Sequence, residues 1–239
     1  MQIHVYDTAQ QVGQAAAMLF ASQVIRKPDS VLGLATGSSP IDCYQQLIAW
    51  HKAGLLDFSK CISFNLDEYC GLPVEHECSY HAFMKAQLFD HINMKASYVP
   101  DGNAPDLAAE CARYDEAIRR AGGIDMQLLG IGRNGHIGFN EPADHLVYGT
   151  QIVHLTESTI QANRRFFESE KDVPRQAISL GIGGIMAARE IVLVAMGEDK
   201  ADAIRETVMH DINPRVQASI LRAHPHVTIL LDRAAASKL

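Results

Sequence analysis

The feature that most constrains this chain is the alternation of short β-rich apolar runs with longer segments of helical periodicity. Gln2–Tyr6 reads as a strand, and Asp7 or Thr8 can cap a helix that runs to about Arg26, where Pro28 stops it. Val31–Ala35 is apolar throughout, as a strand buried on both faces is. The turn Thr36-Gly37-Ser38-Ser39 leads from it into a helix from Pro40 to about Ala53, closed by Gly54. Cys61–Asn65 is the next strand, Leu66 to Cys78 reads as irregular, and a helix follows from about Ser79 to Phe89. A helix from about Pro105 to Ala121 ends at Gly122-Gly123, before a strand at Met126–Leu129. Further strands are expected near Ile152–Leu155, Ala177–Leu180, Ile191–Met196 and Val227–Leu231, with helices between them. This order predicts an α/β fold with a mainly parallel sheet covered by helices on both faces. With no repeat, low-complexity tract or linker, residues 1–239 are expected to form a single domain.

In such sheets ligands bind beyond the carboxyl ends of the strands. Three strand-end loops in this chain are chemically unusual. In the first, Ser39 suits the N-cap of the next helix and Pro40 its first position. Gly37 permits close backbone approach, and free N–H groups at a helix start attract phosphate. The hydroxyls of Thr36, Ser38 and Ser39 can add hydrogen bonds. Read alone, the turn fits a phosphate site and a merely capped helix equally well. It is neither a Walker motif nor G-x-G-x-x-G, so nucleotide binding is unsupported. Arg165 and Lys200 further on could neutralise a phosphate, although each also reads as an ordinary surface charge.

The second loop, Asn65-Leu66-Asp67-Glu68-Tyr69, sets two carboxylates at the end of an apolar strand. A carboxylate shielded from water has a raised pKa and can take a proton from carbon. Adjacent residues of an extended segment point oppositely, so one of the pair is expected to face a substrate, while Asp67 as a mere cap of the following turn stays open as the alternative. The third loop, Gly130 to Pro142, carries four glycines and His136, which can both take and give a proton near neutral pH. Asn134 and Glu141 are near enough in sequence to orient its ring. A metal reading of His136 and Glu141 lacks H-E-x-x-H spacing, and no G-x-S-x-G or activated cysteine suggests a nucleophile.

Composition narrows the class. A net charge of −7 argues against a nucleic-acid partner. Five cysteines, an odd number without C-x-x-C, read as reduced thiols, and no apolar run approaches the roughly 20 residues that cross a bilayer. With no signal-peptide pattern at the N-terminus, the expectation is a cytoplasmic protein with no membrane association.

Taken in order, LGLATGSSP, SFNLDEYCGLP, SYHAFM, GNAPD, GIGRNGHIGFNEP, ANRRFF and GEDKADAI cover nearly the whole chain. In these segments the chain resembles the glucosamine-6-phosphate deaminase family, whose members convert glucosamine 6-phosphate and water to fructose 6-phosphate and ammonia. The resemblance implies a Rossmann-like three-layer α/β/α sandwich, a small sugar phosphate as substrate, and neither metal nor organic cofactor. It implies that Asp67 shuttles a proton between C2 and C1, and that His136 opens the sugar ring with Glu141 and Asn134 tuning it. It assigns phosphate to Thr36, Gly37, Ser38, Ser39, Arg165 and Lys200, places Gly130 along the sugar, and makes Tyr80 part of a mobile cover.

The chain departs from part of that family. Some members carry Asp where Asn134 stands. Members activated by N-acetylglucosamine 6-phosphate carry basic residues at positions matching Gln151 and Val153, and the hexameric ones have a C-terminal extension beyond the point matching Leu239. A non-allosteric monomer or small homo-oligomer is therefore expected. The related 6-phosphogluconolactonases share a strand–TG turn and a Gly-His loop, but their hydrolysis needs no carbon base. A sugar-phosphate sensor on the same fold is the other alternative; such regulators carry an added helix-turn-helix domain, for which a single-domain acidic chain leaves no room.

Overall fold

A computed structural model describes every residue from Met1 to Leu239. The chain opens with β1 (Gln2–Tyr6), α1 (Ala9–Arg26), β2 (Val31–Leu34), α2 (Ile41–Lys52), β3 (Ile62–Asn65), β4 (Asp67–Tyr69) and α3 (Tyr80–Gln87). It continues through β5 (Ala96–Tyr98), α4 (Leu107–Arg120), β6 (Met126–Leu129), β7 (Gln151–His154) and α5 (Glu157–Asn163). It closes with β8 (Gln176–Ser179), α6 (Ile182–Met186), β9 (Glu190–Ala195), α7 (Ala201–Met209) and β10 (Val227–Asp232). Of the two candidate caps for α1, Thr8 is the one used. Its hydroxyl accepts from Gln11 N–H at 3.2 Å while the Gln11 side chain accepts from Thr8 N–H at 3.2 Å, a reciprocal box. No helix is long and apolar enough to cross a membrane.

Seven strands form the main sheet in the order β1-β10-β9-β6-β2-β3-β5, and every neighbouring pair is parallel. Helices flank it in an α/β/α arrangement, with α1 packed on α2 and against β9 and β10. From β2 the chain winds outward to β3 and β5. It then returns to β6 on the other side and winds outward again through β9 and β10. The winding reverses between β2 and β6, and there the strand-end loops diverge and leave a crevice. All four residues of β2 and of β6 are buried, which fits runs that are apolar but for Gln127.

The structure departs from the sequence reading at one flank. β4, β8 and β7 form a separate three-stranded antiparallel sheet, with Asp67 and Gln151 both in register with Ser179. The strands expected near Ile152 and Ala177 exist but do not join the main sheet. Part of the stretch from Leu66 to Cys78, read as irregular, is strand. The short edge strand β5 was also unforeseen; two of its three residues are exposed, so it carries no apolar signature. The small sheet has its own apolar cluster, including Tyr69, Phe139, Val153, Leu155, Ile160 and Val173, distinct from the main core.

Candidate active site

The crevice at the β2–β6 reversal is the mouth of a cavity of about 1170 Å³. It is lined by Thr36 to Ser39, Asp67, Tyr80, Gly130, Asn134, His136, Arg165 and Lys200, so three loops distant in sequence meet on one space. Glu141 does not line it; its carboxylate lies behind the His136 ring.

The Thr36–Ser39 turn is held from beneath. The buried Tyr44 hydroxyl donates to Ala35 C=O at 2.6 Å and accepts from Ala35 N–H at 3.2 Å, fixing where β2 ends. Gly37 has φ +86°, a left-handed conformation that a side chain would strain. Ser39 is not the N-cap. That position falls to Pro40, the helix begins at Ile41, and no side chain caps it. The start lies one residue later because the first helical hydrogen bond runs from Tyr44 N–H to Pro40 C=O at 3.0 Å. Ser38 and Ser39 spend neither hydroxyl on another group of the chain. A Cβ placed on Gly130 would come 3.7 Å from Ser39 Oγ, so the β2 and β6 loops face each other closely.

Asp67 and Glu68 diverge as an extended segment requires. Asp67 enters the cavity, 5% exposed; burial and the neighbouring Glu68 push its carboxyl up to about 8. Glu68 turns away and accepts from the backbone N–H groups of Tyr69 at 2.8 Å, Tyr80 at 2.9 Å and His81 at 2.9 Å. The carboxylate capping is thus done by Glu68, at the positive end of α3. β3 ends firmly too: the Tyr114 hydroxyl donates to Asn65 C=O at 2.7 Å and lies 3.1 Å from Tyr98 C=O.

In the third loop, Gly132 has a steric reason. A Cβ there would lie 2.4 Å from His136 Cε1, so glycine lets the imidazole pack flat on the backbone. His136 Nδ1 is buried and stands 3.5 Å from Glu141 Oε2, beyond good hydrogen-bond length. Asn134 orients the loop without touching the ring. Its Nδ2 donates to Glu141 Oε2 at 2.9 Å, and its Oδ1 accepts from His136 N–H at 3.2 Å. Burial pushes the Glu141 carboxyl up, but His136, Thr159 and Asn134 outweigh it and hold it at about 2.

Of the adjacent arginines, Arg165 lines the cavity and Arg164 does not; the Arg165 guanidinium lies 4.7 Å over the Phe166 ring. Lys200 is largely buried, and burial lowers its ammonium pKa while Asp199 Oδ2 at 3.6 Å opposes the shift. Tyr80 is the first residue of α3, stacked on Phe139 at 5.7 Å and packed 4.9 Å from Tyr69. No three His, Cys, Asp or Glu side chains converge anywhere in the chain.

Sequence reasoning missed several lining or supporting groups. Arg133 reaches Asp199 at 2.8 Å and brings a third cation to the cavity; it stands beside Asn134 in the motif already singled out. Thr156 donates to Glu141 and caps α5, and its signal was an N-cap residue directly after an apolar run. The aromatic wall of Tyr69, Phe139 and Phe167 had no local signal, because distant segments assemble it.

Comparison with known proteins places this geometry. A family profile described as glucosamine-6-phosphate isomerases/6-phosphogluconolactonase matches residues 6–229. A glucosamine-6-phosphate deaminase of Halothermothrix orenii is 54% identical over 100% of both chains, and one of Alkaliphilus oremlandii is 50% identical over 100% of both. A solved structure described as a monomeric glucosamine-6-phosphate deaminase superposes with TM-score 0.98 at 44% identity, covering 100% of both chains. A Trypanosoma brucei 6-phosphogluconolactonase shares the fold alone, with TM-score 0.75 at 20% identity over 100% of this chain and 98% of that one. The chain belongs to the glucosamine-6-phosphate isomerase/6-phosphogluconolactonase family.

Proposed function

We propose that the chain converts glucosamine 6-phosphate and water to fructose 6-phosphate and ammonia; its curated relatives are named glucosamine-6-phosphate deaminases. The observation that carries this reading is Asp67: a buried carboxylate with a pKa raised to about 8, facing the same cavity as His136 and the Thr36–Ser39 turn. A lactonase needs no base against carbon; an aldose–ketose isomerisation does.

In this reading the dianionic phosphate sits on the N–H groups and hydroxyls of Thr36–Ser39 and is neutralised by Arg165 and Lys200. His136, backed by Glu141 and Asn134, moves the proton between ring oxygen and anomeric hydroxyl that opens the sugar. The 2-ammonium of the open chain brings positive charge near Asp67 and favours its carboxylate form. Asp67 then takes the C2 proton, leaving an enolamine, and returns it to C1. Water adds to the resulting C2 imine, and the carbinolamine expels ammonia and leaves the ketone. Gly130 lines the sugar, Tyr80 forms part of the cover, and residues 1–239 act as one unit, monomeric or in a small homo-oligomer. The monomeric description of the solved relative supports that assembly.

The test follows ammonia and fructose 6-phosphate together from purified protein and glucosamine 6-phosphate, without added metal or nucleotide. Wild type should release both in equal amounts, and Asp67→Asn should lose roughly a hundredfold or more, as removal of a general base does. Binding of the sugar phosphate without release of either product would overturn the reading.

A further inference from the structure

Glu141 is a two-sided group. Its Oε2 accepts from Asn134 and faces His136 Nδ1, while its Oε1 accepts from the Thr156 hydroxyl at 3.1 Å and the Thr156 N–H at 3.3 Å. Hydrogen bonds on both oxygens hold a carboxylate in one plane. His136 Nδ1 is buried and has no hydrogen-bond partner, so Glu141 is the acceptor within reach that can set its tautomer. The placement of Glu141 depends in turn on Thr156.

Thr156 opens α5, whose last turn passes directly into the 3-10 turn Arg164–Phe166 that carries Arg165. Ile160 and Leu155 anchor this segment in the small apolar cluster, and the Cys78 thiol donates to Phe166 C=O at 2.8 Å at its far end. It is therefore a short tied unit. Its first residue touches the carboxylate behind the histidine, and its last turn bears a cation of the cavity.

We propose that Thr156 is a positioning residue that transmits the seating of the 156–166 segment through Glu141 to His136. This rests on the reading in which Arg165 engages phosphate and His136 opens the ring. Phosphate drawing Arg165 inward seats the segment, Thr156 fixes the Glu141 plane, and the carboxylate closes on Nδ1. The ring-opening group is then set when the far end of the sugar is held.

Thr156 also caps α5, its hydroxyl accepting from Thr159 N–H at 3.4 Å, so the test must separate capping from coupling. Three variants do so. Thr156→Val removes the cap and the hydroxyl donor and leaves only the N–H bond to Glu141; Thr156→Asp keeps a strong N-cap but faces Glu141 with a carboxylate; Thr156→Ser keeps both functions. Turnover of glucosamine 6-phosphate and the imidazole 15N shifts of His136 in the ligand-free, full-length protein are measured for each. Val and Asp should both lower kcat roughly tenfold, more than they change KM, and both should move the 15N shifts; Ser should recover most of the loss seen with Val. Wild-type kcat and unmoved 15N shifts in Thr156→Asp would overturn the coupling. If wild type released no ammonia, the functional reading would fail instead, and the ligand-free 15N comparison would still decide whether Thr156 sets His136.

Discussion

Asp67 shows how one residue can trade stability for chemistry. Its ordinary carboxyl pKa is near 4, and in the fold it lies at about 8 because the ionised form is buried beside Glu68. A raised carboxyl pKa means that the folded state holds its proton more tightly than the unfolded one. The associated stability is present below the unfolded value of about 4 and is lost as pH rises toward about 8. Asp67→Asn removes the ionisation, so its melting temperature should exceed that of wild type by a margin that grows from about pH 4 to about pH 8 and then levels off. In the proposed mechanism the same pKa governs activity in the opposite sense, because a base works only when deprotonated. The acidic limb of kcat/KM, which reports the free enzyme, should therefore fall near pH 8. Melting curves and pH–rate profiles check the two arms. A constant difference in melting temperature across that range, or an acidic limb near pH 4, would show that Asp67 titrates as an exposed carboxyl.

At the scale of elements, β4 and α3 are joined by Glu68, which accepts three backbone N–H groups across the loop between them. Glu68→Gln keeps the shape and loses the charge at the start of α3. That change should cost about 1–3 kcal/mol of stability. It should also move the acidic limb of kcat/KM to lower pH, because the nearest charge repelling an ionised Asp67 is gone. Stability loss with an unmoved limb would confine Glu68 to capping. The sequence made Asp67 and Glu68 legible as a pair with opposed directions, because period-two geometry is local. It did not reveal that they lie in a strand of a second sheet. Three residues are too few to show a period, and pairing with Gln176–Ser179 is decided more than a hundred residues away. The same limit explains β5 and the aromatic wall, whereas β2, β6, β9 and β10 are buried runs that declare themselves. The turn before α2 was legible as a lining of the cavity, but the helix start was misplaced by one residue, since Pro40 and not Ser39 is the N-cap.

For the whole molecule, the parallel sheet concentrates function at one reversal of its winding while net charge stays at −7. In the proposed reading a dianionic substrate meets a few local cations that line the cavity, Arg133, Arg165 and Lys200, in place of a field over the surface. The same economy bears on regulation. A second sugar phosphate acting at a distance would need its own cluster of cations coupled to the cavity. The resemblance places the basic residues of activated members at the positions that Gln151 and Val153 hold in β7. Here the Gln151 side chain is engaged with Asn140 Oδ1 at 3.0 Å, and Val153 packs in the apolar cluster with Tyr69 and Phe139. A phosphate brought there would meet an amide already in use and a buried methyl surface, at a large desolvation cost. Substrate saturation should accordingly be hyperbolic, and saturating N-acetylglucosamine 6-phosphate should leave half-saturation unchanged apart from competition at the cavity itself. Initial rates across substrate concentration, with and without that compound, decide the matter. A sigmoidal curve made hyperbolic by it would require a second anion site built from residues other than those of β7, and would overturn the non-allosteric reading.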